Sequence, residues 1–98
     1  MPSVIFAPGA LRDLGRLREF LRPKNPAASK RAAETIIQSI KMLELHPQIG
    51  RPRDDMEAAY RELVIDFGQY GYVALYRFKD TKVTVVAIRH QLEAGYQI

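Results

Sequence analysis

Three runs in the last third of the chain decide its fold: residues 60–65 (YRELVI), 71–78 (GYVALYRF) and 83–91 (VTVVAIRHQ). Each run is rich in β-branched and aromatic residues and is bounded by turn-forming residues, which is typical of β-strands. The connections at 68–71 (GQYG) and 79–82 (KDTK) are short, so consecutive strands are expected to pair antiparallel. The sequence therefore predicts an antiparallel meander of three strands.

The first half of the chain predicts one more strand and two helices. Residues 3–7 (SVIFA) read as a short strand that Pro8 and Gly9 end. Apolar residues at helical spacing then predict a helix that ends near Leu21, because Pro23 disfavours the helical conformation of the residue before it. The apolar positions of this helix are Leu11, Leu14, Leu17, Phe20 and Leu21.

A second, longer helix is predicted after Asn25 and Pro26, a strong helix-start pair. Its apolar stripe runs to residues 45–46, where Pro47 ends it, and small alanines fill the first half of the stripe. Alanines allow close approach to the first helix, so the two helices are expected to form a hairpin. Residues 47–59 hold prolines, a glycine and a charged run, and we expect an irregular loop there.

The predicted order is β-α-α-β-β-β, an α+β domain with the helical hairpin on one face of a mostly antiparallel sheet. Residues 1–98 form a single domain, since the sequence has no internal repeat and no linker. In the last two strands neither face is convincingly polar, although a half-exposed sheet should alternate. Either the second face is also covered, for example by a partner, or Val and Tyr merely serve strand propensity. The sequence leaves both interpretations open.

Composition and charge restrict the partners, cofactors and location that the protein can be expected to have. The net charge is +4, which favours anionic partners such as nucleic acid or an acidic protein. The chain has no cysteine and only two histidines, far apart in sequence, so we predict no metal site and no cofactor. No run approaches the roughly 20 apolar residues of a membrane span. A cytoplasmic protein without a membrane partner is the expectation.

Five segments, in order, resemble the RelE/ParE superfamily of toxins from bacterial toxin–antitoxin pairs, and ParE more closely than RelE. They are residues 6–14 (FAPGALRDL), 47–52 (PQIGRP), 61–65 (RELVI), 72–77 (YVALYR) and 88–91 (IRHQ). The resemblance implies one of two activities. ParE-like members bind DNA gyrase and block DNA replication, whereas RelE-like members cut messenger RNA on the ribosome.

The nuclease alternative needs a base, an acid and cations around the scissile phosphate. Its candidate cations are Arg61, Arg77 and Arg89, with His90 as base or acid and Tyr96 as acid or stacking platform. No Lys or Glu can be placed near His90 from the sequence alone, so this set is incomplete. The gyrase interpretation asks only for a binding surface, and exposed Arg and aromatic groups are enriched in such surfaces. Its candidate target contacts are Arg89, His90, Gln91, Glu93 and Tyr96.

The resemblance also implies a cognate antitoxin, which we expect to be acidic and to bind the sheet and the apolar seam beside the helical hairpin. The candidate antitoxin contacts are Leu14, Leu17, Arg61, Tyr72, Tyr76 and Arg77. Operator DNA is expected to be bound only through the antitoxin. Because chain termini usually contribute little to a core, removal of residues 92–98 is expected to leave the strands intact.

Overall fold

A helical hairpin covers one face of a five-stranded sheet in a computed structural model that describes residues 2–97. The strands are β1 (Ser3–Phe6), β2 (Arg51–Pro52), β3 (Tyr60–Phe67), β4 (Tyr70–Lys79) and β5 (Lys82–His90), and the helices are α1 (Pro8–Leu21) and α2 (Pro26–Lys41). The strand order is β1-β5-β4-β3-β2, and every pair is antiparallel except β1 with β5. This architecture confirms the predicted α+β class.

The helices begin where the sequence predicted. Pro8 lies in the first turn of α1, and the Asn25 side chain accepts the Ala28 N–H at 3.0 Å to cap α2. However, α2 ends at Lys41 and continues as a 3₁₀ turn, Met42–Glu44, so the predicted end at residues 45–46 was wrong. The tighter turn places Leu43 in the core, where it is completely buried.

The loop between α2 and β3 is more ordered than predicted. Its two-residue strand β2 pairs with Arg61 and Glu62 at the edge of the sheet, a position that tolerates the missing N–H of a proline. The hydroxyl of the buried Tyr76 donates to the Pro47 carbonyl at 2.8 Å and accepts the Gly50 N–H at 2.9 Å. A tyrosine on β4 therefore fixes the path of this loop.

A β-bulge in β5 changes which side chains face the helices. Leu75 pairs with Ala87 and Tyr76 with Val85, so Val86 has no partner on β4. The alternation of faces along β5 therefore shifts by one residue beyond Val85. The core receives Val83, Val85 and Ile88, together with Ile65, Tyr72, Ala74 and Tyr76 from the neighbouring strands.

The second face of the sheet, away from the helices, is also partly buried. Val73, Leu75 and Ala87 are 3%, 6% and 7% exposed. By register Leu75 lies between Glu62 on β3 and Ala87 on β5, and Val73 lies beside Arg89 on β5. The tail after β5 provides the cover, because the Tyr96 hydroxyl bonds to Glu62 on β3 while its ring lies 5.2 Å from the Arg89 guanidinium on β5. The Tyr96 side chain therefore lies over β4, the strand between β3 and β5.

None of the helices in residues 2–97 is long and apolar enough to cross a membrane.

Candidate functional site

Two side chains of α1 point at the end of β5. Asp13 is 5% exposed, and its carboxylate accepts the Ile88 N–H at 2.9 Å, just after the bulge. Arg16 donates to the Ile88 carbonyl at 3.4 Å and pairs with Asp13 at 3.5 Å. A buried carboxylate thus accepts a strand N–H beyond the last residue of β5 that pairs with β1, and it joins α1 to the last strand.

The chain turns sharply after His90, and Glu93 holds the turn. Its carboxylate accepts two hydrogen bonds from Arg16, at 3.0 and 3.2 Å, and one from the His90 N–H at 2.9 Å. Burial alone would raise the pKa of Glu93, but these N–H donors and the positive charge of Arg16 outweigh burial and lower the pKa. Glu93 is therefore an anchor that ties the tail to α1.

A groove of about 730 Å³ opens between α1 and the ends of β4 and β5. Its exposed apolar groups are Phe20, Tyr70 and Leu92, which are 64%, 44% and 65% exposed. The groove is lined by Arg16, Leu17, Phe20, Leu21, Phe67, Gly68, Gln69, Tyr70, Tyr72, His90, Leu92 and Glu93. Since apolar residues exposed together are typical of interaction sites, the groove is one candidate site.

The second face of the sheet carries a different cluster. The carboxylate of Glu62, which is 5% exposed, lies 3.5 Å from Arg51 and 3.4 Å from Arg53 and accepts the Tyr96 hydroxyl. Arg89 donates to three carbonyls of the turn, those of residues 90, 91 and 93, at 3.0–3.3 Å. Burial and the neighbouring Glu62 carboxylate raise the pKa of Tyr96 far above its usual range, so its phenol stays protonated.

The structure divides the candidate target contacts between the two faces. His90 pairs with Tyr72 in the sheet, and its ring lies in the groove, 5.4 Å from the Tyr72 ring. Arg89 and Tyr96 lie on the second face. Glu93 and Tyr96 are half-buried by their bonds to the body of the protein, so the tail is not a free terminus. Removing residues 92–98 would strip Arg16 and Glu62 of these partners.

The nuclease candidates are divided in the same way. Arg77 is half-buried on the second face, opposite Tyr60. Arg61 donates to the carbonyls of residues 48 and 50, at 3.2 and 2.8 Å, and so stabilises the loop before β3. The imidazole of His90 is on the face opposite Arg77, Arg89 and Tyr96.

The candidate antitoxin contacts also differ in what they can offer a partner. Leu17 and Tyr72 are 6% and 3% exposed and line the groove only at its floor. Tyr76 is completely buried, so it has no surface for a partner in this conformation. Leu14 is half-buried against the core.

Several residues at these sites escaped the sequence-based prediction. The predicted apolar positions of α1 do not include Asp13 and Arg16, and they do include Leu11 and Phe20, which are 56% and 64% exposed. One signal was available, because Asp13 shares a helical face with Ala10 and Leu17, three residues before it and four after. Within residues 2–97 no group of three His, Cys, Asp or Glu side chains could hold a metal ion.

Comparison with known proteins decides the family. A family model described as ParE toxin of type II toxin–antitoxin systems (parDE) matches residues 4–95. The chain belongs to this ParE toxin family. It is also similar to toxin RelE3 of Caulobacter vibrioides, with 39% identity over 93 residues that cover 95% of this chain and 98% of RelE3. Toxin RelE1 of the same organism is 33% identical over 91 residues, covering 93% and 95%.

Solved structures agree with the ParE/RelE fold. A chain of the chromosomal ParDE toxin–antitoxin system of P. aeruginosa superposes with a TM-score of 0.76 at 20% identity, covering 92% of this chain and 96% of that one. A chain of the RelBE2 toxin–antitoxin complex of Mycobacterium tuberculosis superposes with a TM-score of 0.66 at 25% identity, covering 93% and 100%. The chain is thus a type II toxin of the ParE/RelE superfamily, and the matched region includes the turn held by Glu93.

Proposed function

We propose that this toxin acts by binding DNA gyrase and so blocks DNA replication, without cutting RNA itself. One observation carries the proposal: the imidazole of His90 lies in the groove, whereas Arg77, Arg89 and Tyr96 lie across the sheet. General acid–base cleavage requires these groups around one phosphate, within hydrogen-bond reach of the atoms that exchange protons. The ParE family match supports the same choice.

The carboxylate that contacts Tyr96 on the second face is not free to act as a base in place of His90. It belongs to Glu62, which is buried, and Arg51, Arg53 and the Tyr96 hydroxyl already surround it. The raised pKa of Tyr96 keeps that phenol from acting as a base. These groups hold the tail in place, and we infer that the positioned tail is a contact surface for the target.

Controlled expression in a bacterium tests this proposal. We expect DNA breaks and an SOS response before any decay of messenger RNA, and the purified protein should inhibit supercoiling by gyrase. His90→Ala should weaken toxicity only partly, whereas loss of a catalytic acid or base costs a factor of about a hundred or more. His46→Ala is the matched control, because His46 is exposed at the end of the helical region. RNA cleavage on ribosomes with gyrase unaffected would contradict the proposal.

We further propose that a cognate antitoxin neutralises the toxin by binding in the groove. The titles of the two structural neighbours name antitoxin systems or complexes. The groove presents Phe20, Tyr70 and Leu92, and the ammonium of Lys24 lies 3.8 Å from the Phe20 ring at its rim. An amphipathic segment with acidic residues would bury these apolar groups and pair with the cations of a chain whose net charge is +4.

Titration calorimetry with the protein encoded beside the toxin gene tests the groove. Phe20→Asp should weaken binding at least a hundredfold, because it places a charge in an apolar contact. Leu45→Asp is a matched control, since Leu45 is 60% exposed but lies outside the groove. Equal effects of the two substitutions would exclude the groove as the binding site.

A second candidate function is endoribonuclease activity. Two relatives are named RelE, and Arg51 is 60% exposed beside the Glu62–Tyr96 pair on the second face. If substrate separated this pair, a carboxylate, a phenol and guanidinium groups would surround one phosphate. Glu62→Gln would then abolish cleavage of ribosome-bound messenger RNA, whereas the gyrase proposal predicts no cleavage by either protein.

A further inference from the structure

The imidazole of His90 takes part in the turn that follows β5. Its Nδ1 accepts the N–H of Leu92 at 3.1 Å. A ring nitrogen can accept a hydrogen bond only when it carries no proton, so the proton of the neutral ring is on Nε2. The bond links a titratable side chain to the backbone of Leu92, whose side chain lines the groove.

The other bonds of the turn come from groups that do not change charge near neutral pH. The Gln91 N–H donates to the Gly71 carbonyl at 2.9 Å, and the Glu93 N–H donates to the His90 carbonyl at 3.1 Å. Glu93 is held by Arg16, and its lowered pKa keeps it ionised in that range. Among these bonds of the turn, the His90–Leu92 bond is therefore the one that a small fall in pH would break.

The surroundings of the ring offer little compensation for a positive charge. From β4, the rings of Tyr70 and Tyr72 meet it edge to face, with centroids 6.1 and 5.4 Å away. From α1, Arg16 adds a positive charge to the same groove, and the Glu93 carboxylate of the turn is already engaged by that arginine. A proton on Nδ1 would place two N–H donors against each other, so the ring or the Leu92 backbone must move.

We propose that His90 is a proton-operated switch of the groove wall. The neutral imidazole holds the turn and keeps Leu92 in the groove, and the imidazolium releases both. The turn is closed while Nδ1 carries no proton, and it opens when a fall in pH adds a proton there. Its effect on a groove ligand rests on the proposed antitoxin site, whereas the switch itself belongs to the toxin alone.

NMR of the ¹⁵N-labelled full chain between pH 8 and 5.5 tests the switch without any partner. We expect the protection factor of the Leu92 amide, its exchange rate relative to an unstructured peptide at the same pH, to fall about fivefold as His90 titrates. The amide of Ile65 in the core serves as the internal reference. Constant protection of Leu92 through the titration of His90 would overturn the proposal.

Two variants separate the proton from the side chain. His90→Asn keeps an oxygen that can accept an N–H two residues on but does not titrate, so Leu92 should stay protected at both pH values. His90→Ala removes the acceptor, so protection should be low throughout. If His90→Asn showed the same pH profile as the natural protein, another group would be responsible and the assignment to His90 would be wrong. The NMR experiment contains no antitoxin. Its outcome therefore does not depend on whether the antitoxin binds in the groove.

Discussion

Glu93→Gln tests whether the tail is anchored by charge, since the substitution keeps the shape of the side chain and removes its charge. The Glu93 side chain is 25% exposed, and it accepts hydrogen bonds from Arg16 and from the His90 N–H. Hydrogen bonds to a charged group contribute roughly 1.5–3 kcal/mol, and glutamine retains one acceptor oxygen. We therefore expect a loss of about 2 kcal/mol in the free energy of unfolding, or about 10 °C in Tm for a chain of this size.

The pH dependence gives the same experiment a second readout. The folded protein lowers the pKa of Glu93 below its ordinary value of 4.5. A group with a lowered folded-state pKa contributes stability that is complete above the unfolded pKa and is lost as the pH falls through the folded one. The difference between the natural protein and Glu93→Gln should thus be full at pH 7 and shrink below about pH 4.5.

Glu19→Gln is the matched control for urea unfolding at pH 7 and pH 3.5. Glu19 pairs with Arg22 at 3.1 Å, but both side chains are more than 60% exposed. Exposed pairs contribute little, so the control should lose less than about 0.5 kcal/mol. If Glu93→Gln and Glu19→Gln lost the same stability, Glu93 would not anchor the tail. Toxicity should fall with Glu93→Gln if the positioned tail contacts the target.

Three further substitutions and one control, Tyr72→Phe, test the fold around the two sites. Tyr76→Phe should cost about 2–3 kcal/mol in thermal unfolding because it leaves the buried Gly50 N–H and the partly buried Pro47 carbonyl unpaired. Tyr72→Phe, whose hydroxyl has no hydrogen bond within residues 2–97, should cost less than about 0.5 kcal/mol. Gly71→Ala should prevent stable folding, judged by circular dichroism, because φ is +146° and a Cβ would collide with the Ile65 carbonyl oxygen. Tyr96→Phe should remove part of the stability that is lost above about pH 10, since the raised pKa of Tyr96 means that ionisation opposes folding. Equal alkaline unfolding of both proteins would refute this role.

The sequence by itself determined both helices, the strands β1, β3, β4 and β5, and the class of the fold. Local signals carried this information: Pro8 and Asn25 mark helix starts, and Asp80 and Thr81, both with positive φ, form the tight turn between β4 and β5. The family resemblance also lay in the sequence, because its motifs are contiguous segments whose order can be read without a structure. The comparisons confirmed that family.

Only the tertiary structure decided how the candidate site residues are grouped. The bulge at Val86 shifts the alternation of β5 by one residue, and this shift fixes the faces of Arg89 and His90. A period-two pattern cannot reveal such a shift, because the shift arises from the pairing of β5 with β4. For the same reason the sequence could not place Tyr96 on Glu62 or Arg16 on Glu93. These contacts join residues 34 and 77 positions apart, and only the packed sheet and helix bring them together.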